Sequence, residues 1–448
     1  MNLASIPPDA PFLEVLARRW LEQGADPSRG LLLLPTRRAA RSLADAFLRV
    51  TEGRPLLLPR IMALGALDEA PLALASAIEL PPAIEPAQRL AALSRLILRL
   101  PERQGGVPTA WMLAGELARL MDEAERAEMP LREALANAAE AEYAEHWQVT
   151  LQFLRIVTDA WPHYLEEQGL MNPAERQVRL LRAQADAWDR RAPNEPVWIA
   201  GATGAIPAVG RLLRTVARLP NGCVILPGLD HDCPDAVWDA LEASHPQAGL
   251  RSLLAHLGAA RGDVQRWGEE NHGRARMVAH ALLPAAALPA WRRPAAIDTS
   301  GLSLLQAADE QEEAVAIALV LRDALETPHA RAALITPDRA LAGRVAAELL
   351  RWGVVADDSA GEPLDQSPPA VFLRLLAHAV AAELSPVPLL ALLKHPFAAA
   401  GLLTAECRAL AREMETAKLR GPKPQPGLAR RPGMRAILIV SSAAWRRS

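Results

Sequence analysis

Lysine is almost missing from this chain of 448 residues: Lys394, Lys418 and Lys423 are the only three. None of them has Gly before it and Ser or Thr after it. A Walker A loop needs that Gly-Lys-Ser/Thr triplet to reach the terminal phosphate and Mg²⁺, so an orthodox P-loop is excluded over the whole sequence. The residues two before the lysines are Leu392, Thr416 and Gly421, which excludes a nuclease centre built on an acidic residue two before a lysine. Gly-x-Ser-x-Gly and His-Glu-x-x-His are missing too, and with them the hydrolase elbow and the zincin helix.

Cysteine is scarce. Cys223, Cys233 and Cys407 are widely spaced and suit neither a four-cysteine metal or iron–sulfur site nor a disulfide framework, so a reducing cytoplasm is expected. Two tyrosines and five phenylalanines argue against a β-sandwich or barrel. No run of about 20 apolar residues occurs, and the N-terminus MNLASIPPDAPFLEVLARRW is no basic leader with an apolar core, so neither membrane spanning nor export is expected. A net charge of −3 excludes a uniformly basic nucleic-acid coat and leaves room for a local groove.

Half of the residues are apolar, enough for a substantial core, and the length suggests about three domains. Ala, Leu, Arg, Glu and Pro dominate, which favours helices. The excess of Arg over Lys reads as GC-rich coding. Charge is unevenly placed. Glu116 to Glu145 holds nine acidic and three basic residues, net −6, and Arg408 to the end holds ten basic and two acidic, net +8.

The most informative stretch is Gly30 to Val50, GLLLLPTRRAARSLADAFLRV. Leu31–Leu34 has the apolar run of a strand buried on both faces, and Pro35 ends it. Ala39, Ala40, Leu43, Phe47 and Val50 then recur at helical spacing, with Arg37, Arg38, Arg41, Asp45 and Arg49 between them. This is the layout of a nucleotide-binding strand, loop and helix, but the loop reads Pro-Thr-Arg-Arg where phosphate binding needs glycines.

Residues 11–23 read as a helix, and 55–61, PLLLPRI, as a second short strand. From about Glu85 to Arg191 the pattern changes to long amphipathic helices over 86–100, 110–129, 131–161 and 173–191. Their tryptophans, Trp111, Trp147, Trp161 and Trp188, read as packing residues before base-stacking platforms. The α/β pattern returns with a strand at 196–201, a loop at 202–207, a helix at 208–219 and a strand at 223–230. A second unit has strands expected at Leu302–Gln306, Ala332–Thr336 and Val354–Ala356, with helices at 309–325 and 340–352. Parallel strands alternating with helices predict doubly wound sheets, with ligands at the carboxyl ends of the strands.

Gly201-Ala202-Thr203-Gly204 could hold an anion at a helix N-terminus, although glycines serve tight turns equally well. Asp230-His231-Asp232-Cys233 lacks the spacing of a preorganised metal site and reads as a solvated loop. Ile335-Thr336-Pro337-Asp338-Arg339 repeats the logic of Leu34-Pro35-Thr36-Arg37-Arg38: an apolar strand, Thr and Pro, then a cation opening a helix. Two such turns could line one groove for backbone phosphates.

Together, LLLLPTRRAARSLADAFL (31–48), VWIAGATGAIPAVGRLLRTVARLPNGCVILPGLD (197–230), ALITPDRALAGRVAAELLRWGV (333–354), DDSAGEPL (357–364) and LLALLKHPFAAAGLL (389–403) resemble the AddB family, alphaproteobacterial type. These subunits pair with AddA in bacterial helicase–nucleases of double-strand break repair by recombination. The resemblance covers residues 1 to about 428. It implies two RecA-like doubly wound parallel-sheet lobes, as in superfamily 1 helicases, with a large helical insertion. The first lobe would be 1–84 and 193–270, the 1B-like insertion 85–192, a connector 271–300, and an incomplete second lobe 301–428.

The resemblance further implies a degenerate ATP site without cofactor, and a non-catalytic scaffold and single-stranded DNA channel that scans for the hotspot Chi. The partners would be an AddA-type subunit and single- and double-stranded DNA. Carried over by position, the strand-facing residues would be Thr36, Arg37, Arg38, Thr203, Gly204, Thr336, Asp338 and Arg339. The family's nuclease domain and iron–sulfur cluster would lie beyond Ser448, and 429–448, rich in Arg and Ala, reads as a non-native or frameshifted tail. Two rival readings are an active ATP-dependent helicase with an unorthodox P-loop, and a protein-interaction module without DNA binding.

Overall fold

The structure is a computed structural model. It describes residues 1–420 apart from 25, 67–79, 101–104, 132, 135–152, 155, 205, 269–271, 293–298, 329 and 362. The chain divides into two compact units, Met1–Leu302 and Ser303–Ser448.

The first unit is built on a six-stranded, all-parallel sheet in the order β3-β2-β4-β5-β1-β6. The strands are β1 (Leu3–Ile6), β2 (Leu31–Leu34), β3 (Arg60–Ala63), β4 (Val197–Ala200), β5 (Gly222–Pro227) and β6 (Gln265–Arg266). Side chains alternate across this sheet with period two. On one face Ala4, Ile6, Leu32, Leu34, Trp198 and Ile225 meet the helices α1 (Phe12–Glu22) and α2 (Arg37–Val50). Trp20 of α1 is fully buried there, edge-on to Trp198 at 4.9 Å, and its Nε1 donates to Pro27 O at 3.0 Å.

On the other face Leu31, Leu33, Val197, Ile199, Val224 and Leu226 pack against three further helices. A sheet covered on both faces needs apolar residues at every position, which is why β2 is four leucines with all four buried.

Helices α3 (Pro86–Leu98), α4 (Val107–Arg126) and α5 (Trp161–Gln168) form a separate apolar cluster around Leu93, Leu117, Met121 and Trp161. The next helix, α6 (Pro173–Arg190), belongs to the sheet: Val178, Leu181, Ala185 and Trp188 share the core of α7 (Pro207–Arg218) and α8 (Ala248–Leu257). Trp161 and Trp188 are buried as expected of packing residues, Trp111 is 45% exposed, and Trp147 lies outside the described residues.

Several boundaries differ from expectation. β1 was not expected, because four residues before a Pro-Pro pair carry too little periodicity, yet it pairs with both β5 and β6. β3 starts at Arg60, not at Pro55: Pro55 and Pro59 have no N–H to give to a ladder, and Leu57 is 79% exposed. The helix expected over 131–161 lies largely outside the described residues, and its described end runs on through Gln168.

In the second unit α9 (Glu310–Ala324) and α10 (Arg339–Leu350) pack through Ala314, Ala318, Val345 and Leu349. They are followed by α11 (Pro368–Ala381), α12 (Pro386–Leu393) and α13 (Thr404–Met414). The strands expected at 302–306, 332–336 and 354–356 are not formed; among the described residues this unit has no strand. These segments carry the residue types of strands, but a strand exists only where a neighbour completes the ladder. Leu304 and Ile335 are 97% and 94% exposed, so no sheet face is covered here.

Candidate nucleic-acid interface

From β2 the chain moves through α2 to β3 at one edge of the sheet, and from β4 through α7 to β5 in the opposite direction. Right-handed crossovers running in opposite directions put α2 and α7 on opposite faces, as the two cores show. The carboxyl ends of the adjacent strands β2 and β4 are therefore a topological switch point, the place where open α/β sheets leave a ligand crevice.

Only Pro35 and Thr36 separate β2 from α2. Thr36 is extended (φ −132°, ψ 156°) and caps the helix, its Oγ1 accepting from Ala39 N at 3.1 Å. Pro35 has no N–H. A phosphate cradle needs a longer glycine-rich loop whose N–H groups converge, so the turn lacks the length. Arg37 and Arg38 open α2 and are exposed. Cations at a helix N-terminus oppose the helix dipole by about 0.3–1 kcal/mol each. The helix dipole does not explain them.

The neighbouring loop after β4 turns at Gly201 (φ +77°) and Gly204 (φ +68°). Thr203 between them is exposed. A Cβ on Gly204 would lie 2.6 Å from Leu253 Cδ1, so packing against α8, not ligand approach, accounts for that glycine. Thr36, Arg37, Arg38 and Thr203 are thus brought to one edge of the sheet.

Thr336, Asp338 and Arg339 sit in the second unit, where each has a local task. Thr336 Oγ1 accepts from Asp338 N at 3.0 Å, and Asp338 caps α10 by accepting from Ala340 N at 2.7 Å and Leu341 N at 3.2 Å. Arg339 donates to both carboxylate oxygens of Asp358 at 3.0 and 2.7 Å and to Gly361 O at 3.2 Å. That guanidinium, with the backbone N–H of Ala360, holds the Asp358 carboxyl down at about 2. In the second of the two strand-to-helix turns that look alike in sequence, the arginine is folded into a loop clamp.

A further polar contact at the carboxyl edge went unnoticed in the sequence, because Ser5 lies in the unexpected β1. Ser5 Oγ and His231 Nε2 are 2.6 Å apart, and burial, with Arg266 nearby, pulls the imidazole below its usual range. Asp230 accepts from the N–H groups of Asp232 and Cys233, and Arg261 donates to the carbonyls of Asp230 and Cys233. The loop is an ordered turn bound to its own strand ends. Among the described residues no group of three or more His, Cys, Asp and Glu is placed to hold a metal ion, and no helix is long and apolar enough to cross a membrane.

Comparison with protein-family models and with curated proteins finds no match for this chain.

Proposed function

We propose that this protein is a non-catalytic, helicase-like scaffold that holds single-stranded DNA at the carboxyl edge of its parallel sheet. The observation that carries the reading is the two-residue β2–α2 turn. It occupies the switch point where such folds bind nucleotide, leaves no room for a phosphate cradle, and presents Arg37 and Arg38 outward. Exposed guanidiniums and the Thr203 hydroxyl beside them suit the backbone phosphates of a strand. The sequence resemblance to AddB supplies the setting: a cytoplasmic partner of an AddA-type motor subunit, scanning a strand for Chi during double-strand break repair.

The test is fluorescence anisotropy with a labelled 30-nucleotide oligodeoxythymidylate over a range of salt concentrations. Affinity falling steeply with salt, and at least tenfold weaker in R37E/R38E, supports the reading. Salt-insensitive or undetectable binding by the wild-type chain defeats it and favours a protein-interaction module.

A further inference from the structure

On the face of the sheet away from α1 and α2, the helices α6, α7 and α8 and the end of α4 enclose a groove of about 430 Å³. Its cations are Arg182 of α6 and Arg211, Arg214 and Arg218 of α7, and His256 of α8 also lines it. The three α7 arginines stand at i, i+3 and i+7. They share the exposed side of a helix whose Leu212, Leu213, Val216 and Ala217 are buried in the sheet core.

Two of the groove's arginines are already matched. Arg182 donates to both oxygens of Glu128, and Arg211 pairs with Asp186. Asp189 is the remaining carboxylate of the lining. Among the described residues Arg214 and Arg218 have no acidic partner; set against Asp189 they leave the groove a net charge of +1, carried by α7. Arg218, in the last turn, gains from the helix dipole. Arg214, a turn earlier, has no such local reason to be a cation.

We infer that this groove is a second track for the phosphodiester backbone of a single nucleic-acid strand. The α-helical rise spaces the three arginines by roughly 4.5 and 6 Å along α7, so a strand running along the helix can offer each of them a phosphate. The planar guanidinium fork suits phosphate oxygens bidentately. The Arg211–Asp186 pair is exposed on both sides and weakly held, so Arg211 can turn to a strand that enters, while Arg182 stays forked on Glu128. The groove rests on the geometry of α7 and does not depend on Arg37 or Arg38.

The experiment is the same anisotropy titration with the full chain, comparing R214E/R218E, R214Q/R218Q and R37E/R38E. We expect R214E/R218E to bind labelled oligodeoxythymidylate at least tenfold more weakly at low salt. Its plot of log K against log salt should flatten by about 1.4, two contacts at about 0.7 each. R214Q/R218Q should flatten the slope equally with a smaller loss of affinity, and it decides the matter if the Glu pair does not fold. An unchanged slope in a folded R214E/R218E or R214Q/R218Q protein overturns the groove. Loss in R37E/R38E alone keeps the switch-point reading and rejects the groove, loss in the α7 variants alone does the reverse, and no binding by wild type rejects both. Displacement of the oligonucleotide by polyaspartate as readily as by unlabelled DNA of equal charge would assign the groove to an acidic protein segment instead.

Discussion

Pro35 and Gly201 meet across the boundary between β2 and β4: a Cβ built on Gly201 would lie 3.6 Å from Pro35 Cδ and Cγ. The loop after β4 thus runs beside the turn that carries Arg37 and Arg38. It has room for a methyl group but not the backbone for one, since Gly201 has φ +77°. Gly201→Ala should therefore cost the strain of a left-handed alanine, about 1–2 kcal/mol. Gly204→Ala adds a collision with Leu253 at 2.6 Å and should cost more. Urea denaturation of the two variants checks the order.

Nucleotide should not bind at the β2–α2 turn. Isothermal calorimetry with ATP and Mg²⁺ is expected to give no binding heat for the wild type, and none for R37K or R38K. Saturable binding abolished by changing Arg37 and Arg38 would restore the reading of an ATP-dependent helicase.

Glu125, at the end of α4, accepts from Asn172 Nδ2 at 2.6 Å and from Glu175 N at 2.9 Å in the first turn of α6. Burial raises its carboxyl to about 7 against the Asn172 hydrogen bond. Between about 4.5 and 7 the folded chain holds a proton that the unfolded chain has released. Stability therefore falls as pH rises through that window, by at most about 1.4 kcal/mol per unit, and is flat above it. Urea midpoints measured from pH 4.5 to 8 should show the decline, and E125Q should remove it.

Asp358 has the opposite sign. Its folded-state carboxyl is depressed to about 2 by Arg339, so the stabilisation is present above about pH 3.8 and lost as pH falls through 2. R339A should return the Asp358 titration, followed by carboxyl ¹³C NMR, toward the ordinary aspartate range and speed hydrogen exchange at 358–361. An unchanged midpoint would show that the backbone donor from Ala360 suffices.

The two faces of α2 and β2 make a control. Leu33→Ala removes a fully buried side chain and should cost about 2–5 kcal/mol. Leu48→Ala, at a position 55% exposed, should stay within about 0.5 kcal/mol. Chemical denaturation measures both.

The parallel sheet was legible where strands were long apolar runs between turn residues, as at Leu31–Leu34, Val197–Ala200 and Cys223–Leu226. It was illegible at Leu3–Ile6 and Gln265–Arg266, which are too short for periodicity to register and are fixed by β5 and β1 beside them. In the second unit the reverse happened: Ala332–Thr336 has strand composition, and composition does not supply a ladder partner. At the site, the turn at Pro35–Arg38 could be read directly, because lost glycines and a lost lysine are matters of residue type. The Arg339–Asp358 clamp could not, since nothing local says that Asp358, nineteen positions on, will hold Arg339. Arg211, Arg214 and Arg218 were not singled out in the sequence, because only the packing of α6 beside α7 makes their face a groove.

The shortness of the β2–α2 connection also bears on engineering. Where a catalytic residue has merely been replaced, one substitution can bring it back, but here the missing quantity is chain length. Placing lysine and glycines at 35–38 would still leave only two residues between the strand and α2. Turning this switch point into a nucleotide site would take an insertion of several residues and a retreat of the helix start, a change that point mutation cannot reach.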